Sequence, residues 1–187
     1  MTDAGVASGE AYVVMRQHLV TAAVELFAAY GMTIEPVSNG PELAPRSSDE
    51  RVVMAVIGYA GETLRGAIVL LAGKQDVRGW HTGLDEGNDS TEVIHDTVGE
   101  FANMLIGRLK TALLKMGVSF FVTTPTTASG VGVRIPVPNG GMSGWQQFQG
   151  TPGRIDVRLD VVFDPKFSLR GNVSNEPPAA AGDMMLF

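Results

Sequence analysis

Between His95 and Lys110 the chain reads HDTVGEFANMLIGRLK, with apolar residues recurring at helical spacing. At about 100° per residue, Asp96, Glu100, Asn103, Gly107 and Lys110 fall together within a sector of about 80°. Ile94, Val98, Phe101, Leu105, Leu109, Ala112 and Met116 occupy a second sector, also about 80° wide, on the opposite side. Glu100 and Asn103 are i and i+3, so their side chains are neighbours, and Asp96 lies one turn before them. The carboxamide of Asn103 can both donate and accept hydrogen bonds beside the Glu100 carboxylate. This is a pair able to receive another polar surface.

Two readings of this face stand side by side. Polar residues opposite an apolar stripe need no function and are satisfied by water. Against that, Asn competes with a helix backbone for hydrogen bonds. Glycine costs about 0.8–1.0 kcal/mol relative to alanine in a helix interior. Asn103 and Gly107 aligned beside Glu100 therefore suggest that something approaches this side closely.

The rest of the chain supplies the elements that position the helix. Residues 1–9 are small and polar and read as a flexible N-terminus. A first helix over 11–31 is expected from Val13, Gln17, Val20, Val24 and Phe27, with Gly31 as terminator. Three prolines make 34–50 a loop. Val- and Ile-rich runs over 51–73, broken by GYAGET, read as a hairpin. Residues 74–91 are polar, with room for one helical turn, and the main helix follows over 91–117. A strand starting at 118 meets Pro125, which belongs at a strand end or edge. Gly and Pro turns around short extended pieces fill 130–153. In RIDVRLDVVFD (154–164), Ile155, Val157, Leu159 and Val161 alternate with Asp156, Arg158 and Asp160, the pattern of a half-buried strand with one wet face. The order predicts a single α+β domain over 10–170, two-layered, with helices on one face of a largely antiparallel sheet. Residues 171–187 read as a flexible tail, and DMMLF at its tip is either a docking peptide or disordered. The repeated helix-then-strands pattern hints at two related halves.

Composition narrows the function. There is no cysteine, which removes disulfides, thiolate metal sites and a cysteine nucleophile and fits a reducing compartment. The net charge of −6 and the lack of a Lys/Arg cluster argue against a nucleic-acid binder. No basic-then-apolar leader and no run near the ~20 apolar residues of a membrane span are found, so a cytoplasmic protein without membrane insertion is expected. His18, His81 and His95 have no metal-ligand spacing. GVGV (130–133) lacks the rest of a dinucleotide fingerprint, TTPTT (123–127) reads as a strand-end turn, and Trp80 and Trp145 are anchors or contacts.

The pattern Asp-x3-Glu-x2-Asn-x3-Gly in DTVGEFANMLIG resembles the signature helix of the CheC/CheX family of chemotaxis phosphatases. The following strand with its Pro-Thr, and the SG-x-G turn of SGVG, fit that family too. The resemblance spans roughly residues 10–166. It is closer to the CheX type, with one Glu/Asn pair, than to the CheC type, with two. In the matching VELFAAYG of the first helix, Glu25 is followed at i+3 by Ala28. The resemblance implies a CheC/CheX-like fold and hydrolysis of the aspartyl phosphate of a CheY-like response regulator. Asn103 would orient the attacking water, and Glu100 would engage a basic residue of the phosphorylated receiver domain. Asp96, Gly107 and Lys110 would contact that partner. Mg²⁺ is expected on the partner, with no cofactor or metal site of the chain's own. A homodimer is possible, as in CheX-type relatives. The same helix in a non-catalytic response-regulator-binding module is the alternative.

Overall fold

The computed structural model describes residues 3–37, 46, 49–80, 90–136 and 139–169. In chain order the elements are α1 (Asp3–Ala29), β1 (Ile34–Pro36), β2 (Arg51–Ala60), β3 (Leu64–Gly73), α2 (Lys74–Val77), α3 (Thr91–Leu114), β4 (Phe121–Val122), β5 (Thr126–Val131), β6 (Met142–Gly150) and β7 (Gly153–Phe163). The seven strands form one sheet in the order β1-β6-β7-β3-β2-β4, with β5 also on β2, and the strand pairs described are antiparallel. Helices α1 and α3 lie on one face, so the fold is α+β with two layers.

The strand order carries an internal symmetry. Read outward from the β3–β7 boundary, each half presents a hairpin strand, its hairpin partner, and then a short strand that follows the other half's helix. Thus β1, which follows α1, pairs with β6, whereas β5, which follows α3, pairs with β2. The two halves hinted at by the helix-then-strands pattern are interlocked, each completing the other's sheet edge. Both long helices also end alike. Gly31 (φ 75°) and Gly117 (φ 76°) take the left-handed conformation. Behind them Met32 N–H bonds to the Phe27 carbonyl and Val118 N–H to the Leu113 carbonyl, both at 3.0 Å.

The core fills the space between layers. Val53, Ala55, Ile57 and Tyr59 from β2, Ile68 and Leu70 from β3, and Ile155, Val157, Leu159 and Val161 from β7 are all buried there. They meet Ile94, Val98, Phe101, Leu105, Ile106 and Leu109 of α3, each such side chain contributing roughly 1.5–3 kcal/mol by leaving water. Trp80 is fully buried. Its ring sits 5.0 Å from those of both Phe27 on α1 and Phe101 on α3. It is therefore an anchor that ties the helices together.

Several expectations need correcting. Helix α1 begins at Asp3, so residues 3–9 are helical rather than a frayed start. Its buried stripe is Ala11, Met15, Leu19, Ala22 and Leu26, while Val13 and Gln17 are exposed and Val20 and Val24 half-buried. Apolar residues lie on two faces of α1, and only the face with Met15, Leu19 and Leu26 is buried. Within the expected loop, Ile34–Pro36 forms a short edge strand. The Gly-rich stretch after residue 140 is a full nine-residue strand, β6, paired along its length with β7. Gly144 lets β6 lie under Tyr12, whose hydroxyl would sit 2.6 Å from any Cβ there.

The largest correction concerns β7. Asp156, Arg158 and Asp160, expected on a wet face, are 0%, 3% and 4% exposed. Arg46 and Arg154 pair with Asp156 at 2.8 and 3.0 Å. Arg158 pairs with Asp160 at 2.7 Å and donates to the carbonyls of Ile135 and Pro136, and Trp145 stacks 5.3 Å from its guanidinium. Paired and hydrogen-bonded charges can be buried where lone ones cannot. The tail, His81 and the GLDEGND stretch lie outside the described residues.

Candidate functional site

Helix α3 is capped by Ser90, whose Oγ accepts from Val93 N–H at 3.2 Å, and the Thr97 hydroxyl donates to the Val93 carbonyl at 2.7 Å. Its buried face is held by β2, β5 and α1. The opposite face is open. Asp96, Glu100, Asn103 and Gly107 are exposed along it and Lys110 is half-exposed. The structure therefore brings together on one helix face the five residues singled out from the sequence. Among the described residues, no hydrogen bond or ion pair engages the side chains of Glu100 and Asn103. Both are left available to a visitor.

Two walls flank this face. On one side lies the segment joining β4 to β5. Thr127 Oγ1 is 3.2 Å from His95 Nδ1, so His95 fastens the start of β5, just after that segment, to α3. Pro125 and Thr127 also lean on Gly99. A Cβ there would lie 3.4 Å from the Thr127 methyl, so a side chain larger than alanine would push the segment away. TTPTT is not the strand-end turn expected. Thr123 N–H donates to the Gly58 carbonyl at 2.9 Å, its Oγ1 accepts from Gly58 N–H at 3.0 Å, and Thr126 and Thr127 pair with the same strand β2, so the stretch is a one-residue irregularity along that edge. On the other side, α1 and α3 diverge around a groove of about 940 Å³ that includes Ala22, Met104, Gly107 and Ala112. Its rim carries Glu25 and Arg108, 3.9 Å apart. A Cβ at Gly107 would meet nothing within 4 Å. Internal packing therefore does not require glycine there.

Gly99, the His95–Thr127 contact and the groove were not singled out from the sequence. Gly99 carried the same signal as Gly107, a glycine inside a helix. The other two depend on contacts between elements distant in the chain. Counted back from the matching ends at Gly31 and Gly117, Glu100 and Asn103 on α3 correspond to Val14 and Gln17 on α1, so VELFAAYG is not the matching place. Glu25 and Ala28 lie near the C-terminal end of α1, with Arg108 beside Glu25. Among the described residues no cluster of three or more His, Asp or Glu is placed to hold a metal ion, and no helix is long and apolar enough to cross a membrane.

Fold and site together define a two-layer domain presenting one Glu/Asn pair on its central helix. Residues 53–149 match the family described as chemotaxis phosphatase CheX. The chain belongs to the CheX family. Among solved structures, CheX from Vibrio vulnificus is 19% identical with a TM-score of 0.68, covering 79% of this chain and 96% of that one. A CheC-like superfamily protein from Shewanella sp. PV-4 is 18% identical with a TM-score of 0.67, over 79% and 97%. A chain of the CheX–CheY–BeF3–Mg²⁺ complex from Borrelia burgdorferi is 18% identical with a TM-score of 0.62, over 78% and 96%. These likenesses show the fold. No curated protein matches the chain.

Proposed function

We propose that this protein is a phosphatase that hydrolyses the aspartyl phosphate of a CheY-like response regulator in chemotaxis-type two-component signalling. One observation carries the reading. Glu100 and Asn103 stand one turn apart, exposed and unengaged by described residues, on a helix whose other face is locked into the core. The Borrelia burgdorferi relative, whose structure is a complex with CheY, BeF3 and Mg²⁺, supports the kind of partner.

Phosphoryl transfer depends on positioning and charge stabilisation rather than on covalent help. The Asn103 carboxamide accepts a hydrogen bond from a water and aims its oxygen at phosphorus, in line with the aspartyl oxygen. Being neutral, it does not repel the phosphoryl oxygens. The water oxygen bonds to phosphorus as the aspartyl O–P bond breaks. Inorganic phosphate leaves as H2PO4⁻, carrying both of the water's protons, and the partner regains its carboxylate. Glu100 pairs with a basic residue at the partner's active site and so sets the register of the two proteins. Asp96, Gly107 and Lys110 complete the contact face, and the Mg²⁺ of the reaction belongs to the receiver domain.

The test is the lifetime of aspartyl phosphate on a panel of receiver domains from the same organism. Sub-stoichiometric wild-type protein is expected to shorten one lifetime, and Asn103→Ala to abolish the effect while still binding. A binding module without catalysis would bind one receiver domain and leave every lifetime unchanged.

A further inference from the structure

The exposed side of α3 is divided by charge. From Thr91 to Asn103 its Asp, Glu, Lys and Arg residues are all acidic: Glu92, Asp96 and Glu100. From Met104 to the C-cap at Lys115 they are all basic: Arg108, Lys110 and Lys115. The helix dipole does not account for this, because its influence falls off within the first and last turns. Only Glu92 lies in the first turn, and the last turn holds no basic residue. Asp96 and Glu100 are moreover like charges at i and i+4, a mildly destabilising arrangement within a helix.

The basic half has further features of a contact surface. Leu114 is 56% exposed on the same face as Asn103 and Gly107. Beside it the groove between α1 and α3 opens over Ala22, Ala112, Met104 and Met116, with Arg108 and Lys115 on its rim. Small and flexible apolar residues below, an unpacked leucine alongside and cations at the edge match a segment that carries an apolar side chain flanked by carboxylates.

We infer that the C-terminal half of α3 and the α1–α3 groove form a second docking subsite, which takes an acidic, apolar-centred segment of the same receiver domain. This rests on the reading of α3 as the face that meets a receiver domain. The acidic half with Asn103 faces the phosphoryl group. The basic half, starting roughly 8 Å and ending roughly 18 Å along the helix from Asn103 at 1.5 Å per residue, selects which receiver domain is accepted. Arg108, Leu114 and Lys115 are thus specificity residues that touch the partner away from the reacting atoms. Glu25, 3.9 Å from Arg108, holds that guanidinium at the groove until a partner carboxylate replaces it.

The experiment uses the full chain, the receiver domain with the shortened lifetime, and its beryllofluoride–Mg²⁺ form as a binding probe. Arg108→Glu/Lys115→Glu and, separately, Leu114→Ser alter exposed side chains, and thermal melting confirms that each variant is folded. The expected result is a KM and a Kd raised at least 10-fold with kcat within 2-fold of wild type. The salt dependence of binding should also flatten in the charge-reversed variant. Unchanged KM in both variants, with Asn103→Ala still inactive, overturns the subsite and leaves the phosphatase reading standing. A fall in kcat at unchanged KM, or a change in sedimentation of the protein alone in place of altered receiver binding, also overturns it. If wild type binds a receiver domain without shortening its lifetime, and charge reversal abolishes that binding, the subsite stands and the phosphatase reading falls. If wild type binds none, both fall.

Discussion

Arg158 and Asp160, two residues apart on β7, form a 2.7 Å ion pair with both side chains buried. The pair is closed by the carbonyls of Ile135 and Pro136, by Ser143 and by the ring of Trp145. It fastens the chain between β5 and β6 over the sheet face remote from α3. Removing one partner leaves the other charge buried and alone. Asp160→Ala is expected to cost about 3–5 kcal/mol in chemical denaturation. Replacing both residues with apolar ones of similar size should cost much less. Equal losses in the single and double variants would show that packing, not charge, is at stake.

Asn103→Asp should be a more informative variant than alanine. It keeps shape and hydrogen-bond acceptance but, in the proposed reaction, sets a carboxylate facing the phosphoryl oxygens. Turnover is expected to fall by about 100-fold or more, the scale seen when one aligned group at a transition state is lost. On the proposed reaction, in which Glu100 pairs with a basic residue of the partner and not with the phosphorus centre, Glu100→Gln should raise KM more than it lowers kcat. Steady-state kinetics on the phosphorylated receiver domain separate the two.

Gly107→Ala sets stability against docking. A methyl group there has open space around it, and alanine favours a helix interior by about 0.8–1.0 kcal/mol over glycine. Thermal melting should therefore show a more stable protein. If the partner's surface rests on Gly107, the same variant binds it less tightly. A gain in stability with unchanged binding would remove Gly107 from the contact face.

Asp76 gives a pH dependence. Burial raises its pKa above the ordinary 3.8, outweighing the opposing pull of Arg46 and of backbone N–H groups at Gly73 and Arg154, while nearby Glu50 adds to the rise. The folded protein thus holds this proton more firmly than the unfolded chain. The ionised carboxylate opposes folding above the raised pKa, and the penalty disappears as pH falls through that value to 3.8. Asp76→Asn should melt at a higher temperature than wild type at neutral pH, with the difference shrinking on acidification. A difference that grows toward acid would reverse the sign assigned here.

How much of this was legible in the sequence varied by element. Helix α3 was, because its apolar residues keep one phase and its polar face keeps another. Helix α1 was legible as a helix but not in phase, since valines outside and Met15, Leu19 and Leu26 inside are equally apolar. Strand β6 was hidden by Gly144, Gly150 and three glutamines, and its extended form comes from pairing with β7. The polar side of β7 looked solvated because the arginine that reaches Asp156 from outside the strand comes from residue 46, over a hundred positions away. For the site, spacing located the face, but a solvated face and a docking face share the same periodicity. The family motif is what favours the docking reading, and the flanking walls needed contacts that no local window contains.

The interlocked halves have a consequence for biosynthesis. Strand β7 lies between β6 and β3, at the middle of the sheet, yet it is the last described strand to leave the ribosome. Until then the first-made hairpin has an unpaired β3 edge, and β1 waits for β6, more than a hundred residues downstream. The nascent chain cannot close its sheet progressively. It must hold an open, apolar edge while residues 74–152 are made and complete the domain in a late, long-range step, which is the order of events that makes folding slow and a truncated product prone to aggregate.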